Sequence, residues 1–209
     1  MNPFIEPLIV YFVLFLPGVF SGGEISGPLP FSVNREVFRI LTYILPSLAL
    51  LGYLIRRTKG FAEWGLTKPE RGDFFSFFFA FPLLFLFGWV LSFFASRILS
   101  LPLPPRVEVP HTLLQWLVIF LSCIGTGYLE EGYFRFYLLK TFEAAGMGMG
   151  IFFSVLLFTL CHSYEGPWGM ANAALAGFLL ALVFKKWGRI HGIAWAHGAY
   201  NIMVYVLEA

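Results

Sequence analysis

"TLLQWLVIFLSCIGTGYLEEGYFRFYLLK" (Thr112–Lys140) is the stretch whose reading decides the fold. It is apolar for long enough to cross a bilayer, which takes roughly 17–25 helical residues. Yet it carries two adjacent carboxylates, Glu130 and Glu131, and an arginine, Arg135. Within hydrocarbon an ionisable side chain costs roughly 2.5–3.5 kcal/mol on insertion scales, so it faces the protein interior and marks function. The segment reads as a membrane helix with a polar site built into it.

The rest of the chain has the same character. Of its 209 residues, 58% are hydrophobic and 12% charged, against about 25% charged in an ordinary soluble domain. Apolar segments recur at about 4–20, 37–55, 74–95, 112–139, 148–164, 168–184 and 190–207, with ends uncertain by a few residues. The expected fold class is all-α, a polytopic transmembrane helical bundle of about seven spans (six to eight). Residues 1–209 form a single integral membrane domain. The fourth segment is too long for one simple span, so it begins as an interfacial helix or projects beyond the bilayer. Breaks rich in Pro and Gly fall at 21–30, 101–110, 146–150 and 165–169. No internal repeat is evident.

Several classes are disfavoured. Met1–Phe20 has no basic residue ahead of its apolar stretch, and Pro3, Pro7 and Pro17 punctuate it. It reads as the first membrane helix rather than a cleaved secretory signal, which opens with positive charge. Cys123 and Cys161 lie in apolar runs, where free Cys behaves as a small hydrophobe. A net charge of +2 without a basic block gives no nucleic-acid partner.

Basic residues are retained on the cytoplasmic side. Seven spans with a cytoplasmic N-terminus place Arg56, Arg57, Lys59, Lys68 and Arg71 in one inner loop. Arg135 and Lys140 approach the next, and Lys185, Lys186 and Arg189 occupy the third. Arg35, Arg39, Arg97 and Arg106 remain outside.

Three further positions, His162, His197 and Asn201, join Glu130 in carrying the chemistry. If the fourth and fifth segments turn near Gly146, Glu130 lies 16 residues before the turn and His162 16 after it. Each is then about 24 Å from the tip, at matching depth. In the last segment His197 and Asn201 are four apart, stacked on one helix face. Glu131 and Arg135 are also four apart, acid first, the favoured order for an ion pair. Glu131 is thus expected to be held by Arg135, leaving Glu130, about 100° round the helix, for a partner such as His162. His111 and His191 fall near segment ends and read as interfacial.

"EEGYFR" (130–135), "FTLCH" (158–162) and "HGAYN" (197–201) fit the motifs EExxxR, FxxxH and HxxxN. In this order, on separate apolar segments, they resemble the CPBP or Abi family of intramembrane proteases, which includes the type II CAAX prenyl endopeptidases. The similarity covers about residues 112–205, the expected catalytic core; the first hundred residues carry no matching motif. The resemblance implies an endopeptidase of the glutamic type acting on a membrane-anchored or lipid-associated peptide substrate. Glu130 and His162 would activate water, His197 and Asn201 would form the oxyanion hole, and Glu131 and Arg135 would support them. No cofactor is expected on this reading. Glu130, His162 and His197 are also the ligand set of some catalytic zinc sites, the metalloprotease alternative, although HExxH is absent. A transporter, or an immunity or scaffold protein with a polar midplane cavity, is the non-enzymatic alternative. The depth arithmetic points to a site in the outer half of the membrane, suited to an anchor or leader segment. The short, tail-free architecture points to a prokaryotic cytoplasmic membrane.

Overall fold

The computed structural model describes residues 4–16, 31–58, 67–98 and 108–207. Pro3, Pro17, the break at 21–30, Lys59 and residues 101–107 with Arg106 lie outside the described residues. Among the described residues there are seven helical segments and no strand. Helix α1 is Ile5–Leu14. Helix α2 starts as Val33–Arg39, widens into a π-helical turn at Ile40–Ile44 and continues as Leu45–Thr58. Helix α3 is Arg71–Phe93, extended by a π-helical turn at Phe94–Ile98. Helix α4 runs Leu113–Glu131, becomes π-helical over Gly132–Leu139 and ends in short turns at Lys140–Phe142 and Glu143–Ala145. Helices α5 (Met147–Cys161), α6 (Gly166–Trp187) and α7 (His191–Leu207) complete the bundle.

Local chemistry sets the ends. Thr112 and Gln115 exchange side-chain and backbone hydrogen bonds at the start of α4 (3.3 and 2.9 Å), satisfying donors that the first turn leaves unpaired. Gly188 takes a left-handed φ of 66° after α6, a conformation that costs glycine little.

Among the described residues four stretches are long and apolar enough to cross a bilayer: Val33–Arg57, Arg71–Ile98, Leu113–Ala145 and Ser163–Trp187. Helices α1 and α5, at 10 and 15 residues, are shorter than the expected spans, while α7, at 17, covers all but the first residue of its expected segment 190–207. In α5 the cause is local. The backbone leaves the helix at His162 (φ −99°, ψ 12°) and turns through Ser163–Glu165. The helix stops about 22 Å from its start.

Side-chain pairings show an alternating bundle. Glu6 pairs with Arg57 and Tyr43 donates to the Leu14 carbonyl, so α1 and α2 are antiparallel. Glu36 meets Ser122, and Gly132 abuts Leu51, so α2 and α4 run parallel. Helix α5 returns along α4 through Phe142–Phe153 and Phe134–Phe158. Helix α6 follows α4 through Arg135–Gly177 and Glu143–Lys185. Helix α7 lies along α3, with Asp73 at Gly192 and Gly88 at Tyr200.

Helix α4 is the axis of the bundle. Every residue of Gly132–Leu139 is buried, as expected of a helix that is apolar all round. Tyr133 packs on Phe15, Phe134 on Phe158 and Phe136 on Phe184. The Tyr133 hydroxyl donates to the Pro7 carbonyl at 2.7 Å.

The basic residues segregate. Arg56, Arg57, Lys68, Arg71, Lys140, Lys185, Lys186 and Arg189 stand at the end holding the α4–α5 turn, and Arg35, Arg39 and Arg97 lie toward the other. Arg135 departs from the expectation of a residue approaching the inner turn. It is fully buried beside an equally buried Glu131, so it belongs to the core.

Candidate active site

Helices α4 and α7 cross where both present glycine. A methyl added at Gly127 would come within 2.5 Å of the Ala194 carbonyl, and one at Gly198 within 2.8 Å of Ile124. Such close approach brings the last turn before the π-helical run against the His197 turn. Across it, His197 Nδ1 lies 2.7 Å from Glu131 Oε1, and His197 Nε2 lies 3.6 Å from Glu130 Oε2. His197 is almost wholly buried and Glu131 entirely so.

Glu131 is held on its other oxygen by Arg135, 3.2 Å from Nε. The arginine also donates from Nη2 to the Gly177 carbonyl at 3.1 Å and lies over the Phe158 ring, 4.4 Å from its centre. The four-residue spacing did identify the pair. Glu131 also reaches His197, a second partner that the sequence reading had not paired with it. The physical reason is the glycine crossing, which puts an imidazole within hydrogen-bond reach of the inner carboxylate.

His162 joins the site by a different route. Its Nδ1 lies 2.7 Å from the Phe158 carbonyl, so Nδ1–H donates and Nε2 is the nitrogen left for chemistry. Its ring centre is 4.5 Å from that of Phe158, whose other edge faces His197 at 5.9 Å. The expected direct partnership of Glu130 with His162 is not formed among the described residues. Glu130 instead has His197 beside it, and its Oε2 is buried without a hydrogen-bond partner. Asn201 stands one turn beyond His197, half-buried, and its amide makes no hydrogen bond among the described residues.

Two contributors escaped the sequence reading. Phe158, the first residue of the FxxxH motif, supplies a carbonyl to one imidazole and a ring to Arg135 and both imidazoles. Its four-residue spacing from His162 was the available signal. The Gly177 carbonyl carried no signal at all, since any residue offers one. Cys161 and Cys123 are buried and free. His191 binds Tyr128 and the Thr67 carbonyl (2.9 and 2.7 Å).

Among the described residues no three His, Cys, Asp or Glu side chains gather as a metal-binding set. Glu130, His162 and His197, the ligands of the zinc alternative, are not gathered as such a set. What the cluster offers is a carboxylate with an unengaged oxygen, two imidazoles oriented by hydrogen bonds, and an amide one turn away.

Residues 112–203 match the family model described as type II CAAX prenyl endopeptidase Rce1-like. No curated protein and no solved structure matches the chain.

Proposed function

We propose that this chain, a member through residues 112–203 of the type II CAAX prenyl endopeptidase Rce1-like family, hydrolyses a peptide bond of a membrane-anchored substrate with Glu130 as its general base. The observation that carries the reading is the contrast within the doublet. Glu131 is hydrogen-bonded through Oε1 to His197 and has Arg135 Nε 3.2 Å from Oε2, whereas the buried Oε2 of Glu130 makes no hydrogen bond and has only His197 Nε2 beside it at 3.6 Å. A buried polar atom left unpaired costs on the order of 1–3 kcal/mol, which a bound water would relieve.

In the proposed reaction Glu130 takes a proton from that water, and the oxygen adds to the scissile carbonyl. His162 Nε2 orients the water, because Nδ1 is committed to Phe158. The carbonyl oxygen becomes an oxyanion, for which α7 supplies the donors: the Asn201 amide and the Nε2–H of a doubly protonated His197, whose Nδ1–H stays on Glu131. Donors placed for that oxyanion are worth on the order of 3–4 kcal/mol each. The C–N bond then breaks as Glu130 returns its proton to the leaving amine. Glu131, Arg135, Phe158 and Gly177 fix the two imidazoles and do not touch the reacting atoms.

The substrate class follows from position. The site lies about 24 Å along the helices from the α4–α5 turn, at bilayer depth, so the scissile segment must be held at the membrane by a lipid or an apolar anchor. With the N-terminus in the cytoplasm, the site falls toward the outer half of the membrane.

The test uses purified protein in detergent and a lipid-anchored fluorogenic peptide. Glu130→Gln is expected to lower kcat by about 10²–10⁴-fold, the usual contribution of a general base, and chelators are expected to leave the wild type unchanged. Full cleavage by Glu130→Gln would overturn the assignment. Loss on chelation, restored by zinc, would favour the metalloprotease alternative.

A further inference from the structure

A second polar cluster lies on the same face of α4 as Glu130. Ser122, Thr126 and Glu130 are spaced by four residues and so form a near-axial row about 12 Å long. Helix α2 lays two charged side chains along it. Ser122 Oγ donates to Glu36 Oε2 at 3.0 Å, and Arg39 Nε donates to the same oxygen at 3.1 Å. Arg39 reaches Thr126 at 3.4 Å through Nη1 and Ser122 through Nη2. The half-buried edge of the cluster is Arg39, Thr126 and Glu130, while Ser122 and Glu36 behind it are buried.

The two directions away from Glu130 are opposite in character. Toward the N-terminal end of α4 the row is hydroxyl, hydroxyl, guanidinium and carboxylate. It leads to a membrane face where Glu108 accepts from the Phe31 backbone at 2.9 Å, tying together the chain ahead of α2 and α4. The turn carrying His162 faces the same way, with Tyr164 about half exposed (49%). Toward the C-terminal end every residue of Gly132–Leu139 is buried, and its one charge, Arg135, is taken up by Glu131, the Gly177 carbonyl and the Phe158 ring. Water does not thread such packing, and polar side chains inside a membrane protein mark the paths that it takes.

We infer that water reaches Glu130 along the half-buried Arg39–Thr126 edge, which the buried Glu36–Ser122 pair holds in place, and that the site opens only to the membrane face holding the N-terminal ends of α2 and α4. The inference rests on the proposed hydrolysis for its purpose, but the accessibility does not depend on cleavage. Polar contacts between helices also act as glue in a bilayer. A purely adhesive cluster would leave Thr126 sealed, and that difference is measurable.

The test is sided thiol labelling in sealed vesicles of known orientation, on a full-length background with Cys123→Ala and Cys161→Ala. Thr126→Cys and Leu138→Cys are each exposed to a membrane-impermeant anionic methanethiosulfonate from either side. Thr126→Cys is expected to react from the α2/α4 N-terminal face and not from the other, and Leu138→Cys from neither. An unreactive Thr126→Cys, reaction from both sides, or a reactive Leu138→Cys would overturn the inference. A second arm reads cleavage: Thr126→Leu is expected to lower kcat on the order of ten-fold with little change in KM, the scale of a misplaced reactant, and Thr126→Ser is expected to restore it. Equal kcat in wild type and Thr126→Leu would also overturn it. One-sided labelling in a chain that cleaves nothing would retract the protease reading and leave the one-sided opening intact.

Discussion

Arg135 shows how much a single buried charge constrains this molecule. Its guanidinium has no exposure and holds Glu131, the Gly177 carbonyl and the Phe158 ring at once. Removing it leaves Glu131 charged and buried, a loss typically worth about 3–5 kcal/mol. Arg135→Ala is therefore expected to lower the unfolding midpoint in detergent by several degrees and to abolish activity. Arg135→Lys should recover little of either, since an ammonium cannot bridge carboxylate, carbonyl and ring in one plane. Thermal unfolding followed by intrinsic fluorescence checks both. At this scale the sequence was informative where spacing fixes geometry: Glu131 and Arg135, four apart on one helix, do meet. It was silent on His197 meeting Glu131, because the rotation of α4 against α7 decides which carboxylate faces the imidazole. That rotation is a tertiary property.

Between elements, the α4–α7 crossing decides whether the site exists. Two glycines let the backbones touch, in the manner of small residues between membrane helices. Gly127→Ala would drive a methyl to 2.5 Å from the Ala194 carbonyl, and backbone cannot swing aside like a side chain. Overpacking of this kind costs about 1–3 kcal/mol. Gly127→Ala and Gly198→Ala are expected to lower the unfolding midpoint and to reduce kcat, with a crosslink between engineered cysteines at 131 and 197 forming more slowly. Gly148→Ala, where nothing lies within 4 Å, is the matched control. The apolar runs were readable as helices because their composition admits little else. The π-helical stretch of α4 and the early end of α5 were not. Both follow from packing around Gly132 and from the Phe158 carbonyl capturing His162, which no periodicity records.

The whole molecule alternates, so its two ends lie on opposite faces. Ile5 begins beside Arg57 at the basic end, while Leu207 closes α7 at the other. Basic residues stay in the cytoplasm, so a reporter fused at the N-terminus is expected to score cytoplasmic and one after Leu207 external. Both reporters on the same side would contradict the seven-helix alternation. Charge segregation was legible in the sequence, apart from Arg135, which was counted toward the inner loops and is a core residue. Helices α1 and α5 are shorter than their apolar segments suggested, because no sequence mark distinguishes a partial crossing from a complete one.

The sealed aromatic segment of α4 also bears on inhibition. If the proposed site hydrolyses peptides and opens to one face, a charged compound that cannot dissolve in lipid would reach it from a single compartment, so its potency would differ between intact cells and everted vesicles by more than any difference in affinity. Selectivity could then be designed into permeability as well as into fit.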